Sequence, residues 1–216
     1  MKEEKIGIGL LLATIGGFLD AYSYTQRGGV FANAQTGNIV MLGISVMRGN
    51  YSEIINYLLP IICFFLGITM ALLIKRQIGL REGLFQWRQY ILLIELALLS
   101  IVAFLSTDYN RLANIMISSI CALQVESFRK IEGNPFASTM CTGNLRSASE
   151  HFFHWIDCRD KESIKKMLHY LLVILFFIIG AIIGGASGHA IGVRATIVPS
   201  IGLAVAVILL FEKKRS

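Results

Sequence analysis

Long apolar stretches separated by short charged clusters dominate this chain. Residues 54–74 and 167–188 contain no Asp, Glu, Lys or Arg, and each exceeds the ~18 residues that mark a membrane-spanning helix. Less pure apolar stretches at about 6–26, 89–107, 111–128 and 192–211 bring the predicted spans to six. Two further segments, 28–48 and 134–156, are of mixed character. The middle of the first reads Asn33-Ala34-Gln35-Thr36-Gly37-Asn38, a poor lipid-facing helix. The second carries Arg146, Glu150, His151 and His154, and an arginine near a helix centre costs about 2.5–3.5 kcal/mol on insertion scales.

The basic residues decide how the mixed segments are expected to run. If both are re-entrant, six spans leave both termini in the cytoplasm. Residues 1–5, 75–88, 129–166 and 212–216 then share that side, and only Arg27, Arg48, Arg111 and Arg194 fall outside it. If both segments crossed, the 75–88 and 157–166 clusters would lie on opposite sides, against the bias of Lys and Arg toward the cytoplasm. The re-entrant arrangement is therefore expected.

The chain also repeats itself. Thr36-Gly37-Asn38 recurs as Thr142-Gly143-Asn144, and each T-G-N follows a Gly-x-x-Phe-Ala run, at Gly28–Ala32 and Gly133–Ala137. Asn56–Gly67 matches His169–Gly180 in its Tyr, two Leu, an Ile, a Phe and the Gly. Apolar matches arise by chance rather often, so the polar tripeptide weighs more. The reading is one membrane domain over 1–216, all-α, with repeats at 6–107 and 111–211, each of three spans and one broken half-helix beginning at T-G-N. An odd number of spans per copy inverts the second copy, a construction that in transporters places the site near the midplane where broken helices meet.

Backbone at membrane depth must be satisfied within the protein or by cavity water. In T-G-N, Thr can cap the following half-helix, Gly permits close approach or an unusual backbone angle, and Asn both donates and accepts. Thr36, Gly37, Asn38, Thr142, Gly143 and Asn144 are thus candidate solute ligands, with polar glue between repeats as the plainer reading. Arg146 beside the second half-helix would favour an anion, unless it pairs with Glu150 or Glu126. Asp20, Glu95 and Glu126 are the intramembrane acids, hence candidate proton or ion carriers or else structural partners. Asp20 and Glu126 stand equally far before their T-G-N, although the shift that aligns Phe31-Ala32 with Phe136-Ala137 pairs Glu126 with Ala21 instead. Gly180, Gly184 and Gly188 form a small-residue stripe that lets a helix approach closely, within the bundle or in a homodimer.

Composition agrees with a membrane protein: 55% of residues are hydrophobic, the mean hydropathy is +0.63, and 16% are charged against roughly 25% in soluble domains. The net charge of +6 sits in loops beside apolar spans, so it sets topology and does not mark a nucleic-acid partner. Cys63, Cys121, Cys141 and Cys158 form no C-x-x-C pair and support neither a metal site nor a disulfide framework. Zinc on His151 and His154 has little support. No hydrolase or phosphate-loop motif is present, so no enzyme activity, cofactor or metal is expected. No small-residue cleavage site follows Met1–Lys5, so no cleavable signal peptide is expected.

The run Gly16-Gly17-Phe18-Leu19-Asp20-Ala21-Tyr22, with Gly29-Val30-Phe31 and Thr36-Gly37-Asn38, resembles the YoaK-like bacterial membrane protein family of unknown function. Phe128-Arg129-Lys130-Ile131-Glu132-Gly133 and Met140–Ser147 extend the resemblance over nearly the whole chain. The family pattern leads one to expect Gln-Asn-Ala after Leu123, where this chain has Gln124-Val125-Glu126. The resemblance implies a multi-pass protein of the bacterial cytoplasmic membrane and supplies no substrate. The function expected is a secondary transporter or channel for a small polar or anionic solute in contact with membrane lipid. The alternative is a non-transport membrane protein with a lipid-interacting, sensory or assembly role, in which the breaks are structural; a membrane-embedded enzyme ranks last.

Overall fold

The computed structural model describes residues 6–78, 87–131, 134–135 and 140–215. Phe136, Ala137, Lys2, Lys5 and Arg81 lie outside these. The described residues form eight helices: α1 (Ile6–Gln26), α2 (Gln35–Met47), α3 (Tyr51–Ile78), α4 (Trp87–Val102), α5 (Asn110–Ser127), α6 (Cys141–Cys158), α7 (Lys161–Ile191) and α8 (Ile197–Arg215). A 3-10 turn, Gly192–Thr196, joins α7 to α8, and a two-residue antiparallel pair, Lys130–Ile131 with Asn134–Pro135, precedes α6.

By length and apolarity three described stretches can cross a bilayer: Ile6–Gln26, Tyr51–Gln77 and Lys161–Leu209, the last running through the 3-10 turn. The protein is thus a helical membrane protein, although fewer stretches meet that measure than the six predicted. α4, at 16 residues, is only about 24 Å long at 1.5 Å per residue. α5 carries Asn114, Ser118, Gln124 and Glu126 and buries all four against neighbouring helices. Polar groups sheltered in that way lower apolarity without meeting lipid.

α1 and α5 are the most enclosed helices, whereas α3 and α7 turn large apolar side chains such as Phe65, Leu66, Leu175 and Ile182 outward. α1 packs chiefly on α7, and α5 chiefly on α3; α2 folds back on α3, α6 on α7, and α4 meets α5 and α8. With the contact of α1 with α8 included, exchanging α1 with α5, α2 with α6, α3 with α7 and α4 with α8 turns these pairings into themselves. The first helix of each predicted repeat thus lies against the third helix of the other.

The predicted glycine stripe explains the tightest seam. A Cβ on Gly180 would meet the carbonyl of Thr14, one on Gly17 the carbonyl of Phe177, and one on Gly184 would lie 2.5 Å from the carbonyl oxygen of Phe18. Gly188 faces Gln26. Of the two placements open to the stripe, the seam with α1 inside the chain is the one observed, so Gly180, Gly184 and Gly188 are buried. The equivalent of Gly180, Gly67, faces α5 less tightly: a Cβ there would lie 2.7 Å from the Ala122 Cβ and 3.1 Å from the Ser119 carbonyl oxygen.

Two tight turns set the half-helices. Gly49, at φ 67, reverses the chain between α2 and α3, and Arg159, at φ 53, does so between α6 and α7. Asp160 then caps α7, accepting from the amides of Glu162 and Ser163 at 3.0 Å each. The Ser163 hydroxyl and these amides hold its carboxyl below the usual range, so the cap is formed at neutral pH and lost as acid protonates it. α2 is about 20 Å long and α3 about 42 Å; running back along its partner, α2 therefore begins near that partner's middle.

Candidate functional site

The two half-helix N-termini open on one cavity of about 700 Å³. Gln35 and Thr36 reach it from α2; Cys141, Thr142 and Gly143 reach it from α6. Its walls come from repeat-equivalent positions: Phe64 and Ile68 near the middle of α3, Phe177 and Ala181 near the middle of α7. Asp20 and Val125 also face it, and they correspond under the shift that pairs Phe31-Ala32 with Phe136-Ala137. Glu126, which would correspond to Ala21 under that shift, does not line the cavity.

Asp20 organises the break before α2. Its Oδ1 accepts from the amides of Asn33 at 2.8 Å and Ala34 at 3.1 Å, and the side chain is only 6% exposed. Gly28 and Gly29, at φ 88 and 75, allow the chain to turn out of α1. The amide of Ala32 donates to Ser23 Oγ, and its carbonyl accepts from Ser118 Oγ of α5. Asn38 completes the clamp: Oδ1 accepts from the Phe31 amide at 3.0 Å, while Nδ2 donates to the Phe31 carbonyl at 2.6 Å and to Gln35 Oε1 at 2.9 Å. With Asn38 fully buried, its carboxamide serves its own loop. Gly37 presses on the Phe31 ring, where a Cβ would come within 2.7 Å.

The remaining predicted residues separate. Thr36 and Thr142 line the cavity as second residues of their helices and make no cap; the positions preceding α2 and α6, Ala34 and Met140, have no side-chain cap either. Gly143 lines the cavity with open space where a Cβ would stand. Asn144 is buried and does not line it. Arg146 stands outside, paired at 2.9 Å with Glu150 on the exposed face of α6. The i,i+4 spacing brings those two together, so the cation expected at the site is turned away from it. Glu126 lies 3.6 Å from Arg129. Glu95 is fully buried in α4, with neither carboxylate oxygen hydrogen-bonded, and lies off the cavity.

Two side chains carry more than the sequence suggested. Asn33 lines the cavity, is 6% exposed, and its Nδ2 has no hydrogen-bond partner. Its place beside T-G-N was the available signal. Arg27 is 1% exposed. Its guanidinium donates to the carbonyls of Val102, Leu105 and Ser106, to Asn110 Oδ1 and to the Tyr22 hydroxyl at 2.8–3.2 Å. It closes the C-terminal end of α4, where carbonyls lack helical partners and positive charge is favoured.

A family model described as "Protein of unknown function (DUF1275)" matches residues 8–209. The chain belongs to this family. It is also similar to "UPF0700 transmembrane protein YoaK" of Bacillus subtilis (strain 168), with 27% identity over 182 residues, covering 80% of this chain and 79% of that protein. No solved structure matches the chain. The DUF1275 match runs through both T-G-N segments and through the helices that wall the cavity.

Proposed function

We propose that this DUF1275 protein moves a small polar or anionic solute across the bacterial cytoplasmic membrane, binding it where the two half-helices meet. The observation that carries this reading is the single cavity lined by Thr36 of one T-G-N and Thr142 and Gly143 of the other. Broken helices meeting at a cavity between repeats are how secondary transporters build a midplane site. The proposal includes six spans in two inverted copies, with α4 and α5 crossing beside the three long apolar stretches. The self-exchanging helix pairings and the distribution of basic residues support it.

Full-length protein in liposomes should take up at least one member of a panel of anions and neutral metabolites faster than protein-free vesicles do. Ile68→Trp, which fills the cavity from α3, should return that uptake to the protein-free rate. A panel on which nothing moves, or uptake indifferent to Ile68→Trp, would sink the proposal.

Topology has its own check. Asn50→Cys, in a chain whose native cysteines are replaced, should react with an impermeant maleimide from outside the cell, and native Cys158, kept alone, only from inside. Labelling of both from one side would reject the inversion. A second reading, in which the breaks are purely structural, draws support from the Asn38 clamp; it expects no flux of any solute.

A further inference from the structure

The charges around the cavity narrow the kind of solute, an inference that rests on the transport reading. Two helix N-termini open on the cavity, and each behaves as roughly half a positive charge. Among the lining residues there is no Lys, Arg or His, and Asp20 is the one carboxylate. An ionised Asp20 therefore offsets the two helix ends almost completely. A bare anion would meet that carboxylate, and a bare cation would meet the two helix ends. With a proton on Asp20, the balance leaves room for one negative charge.

The donors indicate which anion fits. The first amides of α6 lack intrahelical acceptors, as at any helix start. Asn33, buried in the same wall, holds a donor nitrogen with no partner. A carboxylate brings acceptor oxygens for the α6 amides, and for Asn33 Nδ2, which is enclosed behind the wall, once its carboxamide turns toward the cavity. Phe31, Phe64, Ile68 and Phe177 make much of the remaining wall apolar. About 700 Å³ is within the range for small organic ligands and far exceeds an inorganic ion. We propose that the cavity takes a small monocarboxylate with an apolar body, together with one proton carried on Asp20.

Other titratable groups reach Asp20 from the elements around it. Tyr24 shares the cavity from α1. Cys121 of α5 and Cys141 at the start of α6 interact with it electrostatically, and Glu95 of α4 interacts with Cys121. α7 presents only the uncharged Phe177 and Ala181. Replacing Asp20 singles out its part among these groups.

The test begins with binding to the purified full-length protein in detergent, using benzoate as probe, with benzamide, benzylamine and chloride for comparison. Benzoate should bind more tightly than the other three. Its Kd should rise by up to about tenfold per pH unit between pH 5.5 and 7.5, as coupling to one proton requires, and heats in buffers of different ionisation enthalpy should report proton uptake. Asp20→Asn keeps an oxygen for the Asn33 and Ala34 amides. It should bind benzoate more tightly at pH 7.5, with neither pH dependence nor proton uptake. Binding that ignores pH, or a preference for benzylamine, would overturn the proposal. In voltage-clamped vesicles, benzoate flux should follow an inward proton gradient. Proton-coupled benzoate binding without flux would remove the transport reading and keep the ligand assignment. Flux of some other solute, with no benzoate binding, would remove the ligand assignment alone.

Discussion

Gly180→Ala should destabilise the protein by about 3 kcal/mol or more, the upper end of the usual cost of overpacking, while Gly185→Ala, five residues further along α7, should be neutral or stabilising. The two glycines share a helix and a composition; what differs is what their added methyl groups meet. At Gly180 the new Cβ runs into the carbonyl of Thr14, and at Gly185 nothing lies within 4 Å. Backbone cannot rotate away as a flexible side chain can, so α1 and α7 would have to separate. That seam also carries Gly184 and Gly17, so the separation would spread along it. At Gly185 only helix propensity changes, and alanine gains up to about 1 kcal/mol there. Thermal unfolding in detergent, followed by circular dichroism, should show a lowered midpoint for Gly180→Ala and none for Gly185→Ala. Equal midpoints would mean that the α1–α7 approach is looser than described.

Arg27→Met should also cost about 3 kcal/mol or more. The change removes the hydrogen bonds to the carbonyls of Val102, Leu105 and Ser106. Those of Val102 and Ser106 still accept from the amides of Leu105 and Tyr109, but hydrogen bonds from a charged group contribute about 1.5–3 kcal/mol each. Arg27→Lys should rescue little. One ammonium is a compact point donor, whereas the planar guanidinium spreads five N–H groups across separate acceptors. The damage should start where α4 meets α5, so hydrogen exchange at 99–106 should accelerate before exchange in α7 does. A lysine variant as stable as the parent would show that charge at the end of α4 suffices without the fork of hydrogen bonds.

The helix positions were readable because membrane insertion depends on length and apolarity, both of which are local properties. The predicted 6–26 coincides with α1, and the mixed segments proved to hold α2 and all but the last two residues of α6. T-G-N stood out because polar residues repeated within apolar surroundings need a reason. Its individual roles were harder to read. Thr36 and Asn38 differ by two positions on one helix start, and the helical turn sends the first toward the cavity and the second back to the Phe31 loop. Arg146 looked like an anion ligand from its nearness in sequence, yet two residues past Asn144 it already lies on another face, beside Glu150. Arg27 looked like a stray outside charge, and its carbonyl partners lie more than seventy residues away at the end of α4.

The sequence by itself determined that this is a membrane protein in which a polar tripeptide recurs, because hydropathy and repetition are written along the chain. It also marked the places where the helices break. Only the tertiary structure decided what those breaks do. The pairing of α1 with α7 and of α5 with α3 brings Thr36 and Thr142 to one cavity, leaves Asp20 as its one carboxylate among the lining residues, and turns Arg146 away. Charge balance and close packing depend on distances across the bundle, and residues far apart in the chain set those distances only once their helices have packed.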